Sequence, residues 1–142
     1  MAHVSLVTLG VDDLDAATAF YTALGWRRSS ASVAGEVAFM VGGTVVLGLY
    51  GRDDLARDAG LDGPGGGHGD VALAMNLDSP RAVDDAIGAA VEAGGQVTRP
   101  AETAEWGGYS GYVSDLDGHL WEIAHNPGFP LQPDGRILLP DT

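Results

Sequence analysis

The sequence predicts an α+β chain built from two successive βαβββ modules. Three observations predict it. A strand-like alternating segment followed by a capped helical pattern occurs near the N-terminus and again from residue 71. Each helical pattern stops at glycine, in Leu24-Gly25 and in Ala93-Gly94-Gly95. Each is then followed by short apolar segments divided by turn residues.

In the first module, residues 4 to 11 alternate apolar with small or polar side chains and read as a strand. Asp12-Asp13-Leu14-Asp15 supplies a helix N-cap, and Ala17, Phe20, Tyr21 and Leu24 recur on one helical face. Past the glycine stop, Trp26 and Arg27 begin a return strand. Residues 37–41 and 44–50 flank Gly42-Gly43 as a β-hairpin. In the second module, residues 71–77 alternate as a strand, and Ser79 caps a helix with Pro80 at its first position. Val83, Ile87, Ala90 and Val91 mark the expected buried face of that helix. Strands follow near residues 96–98 and over 110–114, then a turn at 115–118 and a final strand through Trp121.

A single domain over residues 1–142 is expected, with module one at 3–50, a linker at 51–70, module two at 71–126 and a tail at 127–142. The linker carries Gly63-Pro64-Gly65-Gly66-Gly67-His68-Gly69. A phosphate-cradling loop leaves a strand, opens a helix and has a lysine nearby; this one precedes a strand in a chain without lysine, so it reads as a flexible crossover. The tail, with four prolines, reads as an extended surface arm.

Composition excludes several chemistries. There is no cysteine, and all seven basic residues counted are arginine, so disulfides, thiolate sites, cysteine nucleophiles and Schiff-base lysines are ruled out. The formal charge of −13 repels phosphate backbones and anionic lipid, so nucleic acid and membrane surfaces are not expected partners. No apolar run approaches the ~20 residues of a membrane span, and the N-terminus lacks a signal-peptide pattern, so a cytoplasmic setting is expected.

The run V-x-D-L-x-x-A-x-x-F-Y-x-x-L-G-W at Val11–Trp26 and D-x-D-G-H-x-W-E at Asp115–Glu122, set in a βαβββ repeat, resemble the vicinal oxygen chelate superfamily of glyoxalases, extradiol dioxygenases and bleomycin-resistance proteins. The resemblance implies a U-shaped, cup-like mixed sheet with helices on its outer face, often at a dimer interface. It also implies metal ligands on the first and last strand of each module. Here those positions are Leu6, Gly48, Ala72 and Glu122, of which only Glu122 can ligate a divalent cation. No cofactor is expected, and a divalent metal is disfavoured. His3 reads as an exposed terminal histidine, His119 as a turn residue and His125 as a strand end, while His68 lies next to the fifth strand and is able to swing toward the cup mouth.

Strand parity places Glu122 inward with Leu120 and Ala124, where a carboxylate among apolar neighbours requires a partner or a raised pKa. Three readings stay open: a general base, a counter-ion for a cationic ligand, or an acid satisfied by an arginine such as Arg28. Trp106, Tyr109 and Tyr112 are candidate ligand-binding aromatics, with a core plug the alternative for Trp106. Asn76 and Thr8 are candidates to orient a polar ligand group. Two functions follow: a metal-free cup binding a small cationic or aromatic molecule, or a lyase- or isomerase-type enzyme using Glu122 or a metal on other ligands. A homodimer is expected only through the resemblance.

Overall fold

The computed structural model describes residues 2–65 and 69–140. Contacts divide the chain into two compact units, Met1–His68 and Gly69–Thr142. The first holds β1 (Leu6–Val11), α1 (Leu14–Ala23), β2 (Arg27–Arg28), β3 (Val37–Val41), β4 (Val46–Gly51) and α2 (Arg52–Asp58). The second holds β5 (Ala72–Asn76), α3 (Pro80–Glu92), β6 (Gln96–Thr103), β7 (Tyr109–Ser114) and β8 (Leu120–His125). Each unit carries one four-stranded mixed sheet, ordered β1-β4-β3-β2 and β5-β8-β7-β6. The outer pairs β1/β4 and β5/β8 are parallel and the rest antiparallel.

The helices start where their caps dictate. Asp13 accepts the Ala16 amide at 2.9 Å, and Ser79 accepts that of Ala82 at 3.1 Å with Pro80 opening the helix behind it. Gly25 and Gly94 end the two long helices at φ of +100° and +106°, a region in which only glycine avoids strain. α1 packs on its own sheet through Ala17, Phe20 and Tyr21, and the core continues into Leu9, Val11, Ala38, Met40, Leu47 and Leu49. α3 packs on β6, β7 and β8 around Val83, Ala90, Val113, Trp121 and Ile123.

Four expectations are corrected. The linker is not all crossover: residues 52–58 form α2, with Asp53 and Asp54 in its first turn and Arg57 in its last, the arrangement a helix dipole favours. This helix covers Gly10, where an added Cβ would stand 3.2 Å from the Arg52 Cα. The proline-rich tail folds back as a small hairpin: Leu131 bridges Ile137, and the Gln132 amide donates to the Arg136 carbonyl at 2.7 Å. Val91 lies on the exposed side of α3, one position off its buried stripe. β6 runs to Thr103, five residues beyond its expected end. Among the described residues no helix is long and apolar enough to cross a membrane.

Candidate functional site

In the second unit, register partners run in a line across all four strands: Arg99 on β6, Tyr112 on β7, Glu122 on β8 and Ala74 on β5. Side chains paired this way share one face. The opposite face belongs to α3, since Trp121, Ile123 and Val113 are buried and an added Cβ on Gly111 would stand 2.8 Å from Ile87 Cδ1. Glu122 and Tyr112 are half-buried on the face away from α3.

The line is joined by side-chain contacts. The Tyr112 hydroxyl donates to Glu122 Oε2 at 3.2 Å. The Arg99 guanidinium carbon lies 5.2 Å from the Tyr112 ring centroid, within cation–π range, while Nη2 donates to Ser110 Oγ at 2.8 Å and Nη1 pairs with Glu102. Burial raises the Tyr112 phenol above its ordinary value, the Glu122 charge and hydrogen bond add to that, and Arg99 opposes it. The phenol thus stays protonated and remains a donor to Glu122 at neutral pH.

Arg99 reaches this face through two irregularities in β6. Between the pairs Val97–Val113 and Arg99–Tyr112, β6 advances two residues while β7 advances one, and the extra residue Thr98 carries Arg99 onto the Tyr112 face. A second shift lies between Arg99 and Glu102, around Pro100, which has no amide hydrogen for the ladder. β6 is an edge strand, where such breaks are tolerated. A strand expected to end at Thr98 leaves Arg99 out; the sequence signal for it is Pro100, which marks an edge strand or a bulge as readily as a strand end.

The other sequence candidates are dispersed. Tyr109 lies on the α3 side of β7, where its hydroxyl donates to Asp84 at 2.6 Å; that bond chiefly, then burial and the Asp84 charge, raise its pKa. Trp106 is 69% exposed at the β6–β7 turn, its ring lying against Gly108, so it plugs no core. Asn76 is on the Glu122 face but its side-chain oxygen accepts from Asn126 Nδ2 at 2.7 Å. Thr8 is in the first unit, paired with Gly48; an added Cβ there would stand 3.2 Å from Thr8 Oγ1 and 3.5 Å from Leu6 Cδ1. His125 Nδ1 is 3.0 Å from the Leu77 carbonyl, and His119 closes a turn in which Asp115 Oδ1 accepts the amides of residues 117 and 119. His3 is exposed, and His68 lies outside the described residues.

The model of the Glyoxalase/Bleomycin resistance protein/Dioxygenase superfamily matches residues 1–123. The chain belongs to this superfamily. It is 36% identical to a glyoxalase-related enzyme from Fulvimarina pelagi, covering 98% of this chain and 99% of that one at a TM-score of 0.88. A superfamily member from Nocardioides is 26% identical over 93% and 89% of the two chains, with a TM-score of 0.71. Lactoylglutathione lyase from Agrobacterium tumefaciens is 25% identical over 92% and 99%, with a TM-score of 0.70. A search of the curated proteins returned no match.

The metal sites that the superfamily resemblance implies do not fit these residues. Leu6 and Gly48 in the first sheet and Ala72 in the second carry no donor atom, and the remaining position, Glu122, is engaged by Tyr112. Among the described residues no three His, Cys, Asp or Glu side chains are grouped to share an ion. What the second sheet of this superfamily member offers instead is a carboxylate, a phenol and a guanidinium in one line.

Proposed function

We propose that the protein binds a small organic molecule through a cationic group placed against Glu122. The observation that carries this reading is the state of that carboxylate: half-buried, hydrogen-bonded by a neutral phenol, and without an ion pair among the described residues. A protonated amine supplies the missing charge and a second hydrogen bond. The net charge of −13 draws cations toward the molecule, and the Tyr112 ring adds an apolar surface for the ligand's body. We read the setting as cytoplasmic and the assembly as a homodimer, the latter to be checked by sedimentation equilibrium.

Benzylamine and related organic cations test the site by thermal shift. A ligand at 100 times its dissociation constant stabilises by ~2.7 kcal/mol, an easily measured rise in Tm. The rise is expected in the native protein and not in Glu122→Gln. No shift with any organic cation would refute the reading.

A second reading is favoured by the Tyr112–Glu122 hydrogen bond itself, which sets a carboxylate base beside a phenol that can return a proton. On that reading the protein is a lyase or isomerase. Lactoylglutathione lyase activity that disappears in Glu122→Gln, with ligand affinity kept within a few-fold, would establish it; unchanged turnover would remove Glu122 from the chemistry.

A further inference from the structure

Resting on the assignment of a cationic group to Glu122, we infer that the site is bipolar: its ligand carries an acidic group at the far end, received by Arg99, and lies along the Arg99–Tyr112–Glu122 line as a zwitterion.

Arg99 is held as a receptor group is held. Its guanidinium is held by the Ser110 hydroxyl and against the Tyr112 ring, so part of its rotamer freedom is already lost before binding. Its side chain nevertheless keeps 35% of its exposure, and its Nε–H has no acceptor among the described residues. Glu102, the acid paired with it among the described residues, is 68% exposed, and a solvated pair of that kind contributes little. The guanidinium edge is therefore open to a carboxylate, for which its fork of donors is matched.

At the other end, Glu122 Oε2 accepts from Tyr112, while Oε1 has no donor among the described residues. Its neighbour in the line is Ala74, which leaves room beside the carboxylate. Two strand spacings, roughly 9.6 Å, separate the Arg99 and Glu122 backbones, and the Tyr112 ring stands between the two charged groups. The complementary molecule carries an ammonium and a carboxylate at opposite ends of a flat or extended spacer. Being neutral overall, it escapes the repulsion that a simple anion meets from a chain of charge −13.

Three probes distinguish the two ends: benzylamine, benzoate and 4-(aminomethyl)benzoate, titrated calorimetrically into the native protein at one ionic strength. The zwitterion is expected to bind roughly tenfold more tightly than benzylamine, the value of one additional charge-assisted hydrogen bond at a half-exposed site. In Arg99→Gln the advantage should fall to within about twofold with benzylamine affinity kept, and in Glu122→Gln both amines should lose affinity. Equal binding of benzylamine and the zwitterion by the native protein overturns the bipolar site and leaves the cation at Glu122 standing. Binding of neither amine overturns both. The comparison on the native protein needs no variant to fold, and circular dichroism of the variants checks that their losses are local.

Discussion

Gly111 lies where β6 and α3 both approach β7, and replacing it with alanine tests how closely they pack. A Cβ there would stand 2.8 Å from Ile87 Cδ1, 2.9 Å from the Ala101 nitrogen and 3.1 Å from the Ala101 Cα. The first contact is the tip of a side chain and can yield. The other two are backbone of β6 and cannot, short of moving the strand that carries Arg99. Overpacking of this kind costs about 1–3 kcal/mol, against which a glycine-to-alanine change returns about 0.4–1 kcal/mol through the unfolded chain. The net expectation is a loss of about 1–2 kcal/mol, or a fall in Tm of roughly 3–7 °C. Gly88→Ala is the control: it sits within α3 with nothing inside 4 Å of the new carbon, so the same chemical change should stabilise by up to ~1 kcal/mol. Thermal and urea unfolding of the two variants measure both. Adding Ile87→Val should recover only part of the Gly111→Ala loss, because the Ala101 contacts remain. A neutral Gly111→Ala, or one fully rescued by Ile87→Val, would refute the idea that β6 packs rigidly over this position.

Asp115 is buried and its Oδ1 accepts two backbone amides, so Asp115→Ala should cost about 2–4 kcal/mol in urea unfolding while Asp115→Asn, which keeps an acceptor, costs less. Ser79→Ala removes the α3 cap and should cost about 1 kcal/mol, with Ser79→Asp near native stability by the same measurement. The Tyr109 phenol is raised above its ordinary 10.0 chiefly by its hydrogen bond to Asp84. A raised pKa means that its stabilisation is complete below the unfolded value and lost as pH climbs through the folded one. The Tm difference between native protein and Tyr109→Phe should therefore be positive at about pH 8 and shrink above about pH 10; a difference independent of pH would show that the bond is not its origin.

The repeat was legible because it rests on local signals. Asp13 and Ser79 cap helices by their own side chains, Gly25 and Gly94 stop them by their own backbone, and alternation fixed which residues of β8 face α3. Sequence parity likewise set Glu122 on the face of Leu120 and Ala124, and the β7/β8 register adds Tyr112 to that face. Arg99 was not legible, because its direction depends on an extra residue in one strand relative to its neighbour, a quantity that exists only once the strands are paired. Tyr109 was misleading for a related reason. It lies three residues from Tyr112 on a strand, which puts the two hydroxyls on opposite faces, one bonded to Asp84 and the other to Glu122. α2 was missed because the glycines after residue 60 dominated the reading of the segment and because its N-cap, Gly51, makes no side-chain capping bond, leaving only the charges of Asp53, Asp54 and Arg57 as a helix signal.

The two modules share one plan, and the differences between their equivalent positions indicate where chemistry resides. In the first sheet the line matching Tyr112–Glu122–Ala74 is Phe39–Gly48–Thr8, with the same strands in the same order and the same register. Phenylalanine there has the ring of Tyr112 without its hydroxyl, and Gly48 has no side chain to receive one. The opening move of β6 has no counterpart in the first unit, where β2 has only two residues, Arg27 and Arg28, opposite Val41 and Met40. At these matched positions a phenol, a carboxylate and a bulge that delivers a guanidinium are thus confined to one of the two lines. Packing alone does not require that asymmetry, since the first sheet builds its core under α1 without any of the three. An asymmetry of this kind is what the proposed ligand site would leave in the second sheet, and loss of amine binding in Glu122→Gln with native-like circular dichroism would tie it to binding rather than to packing.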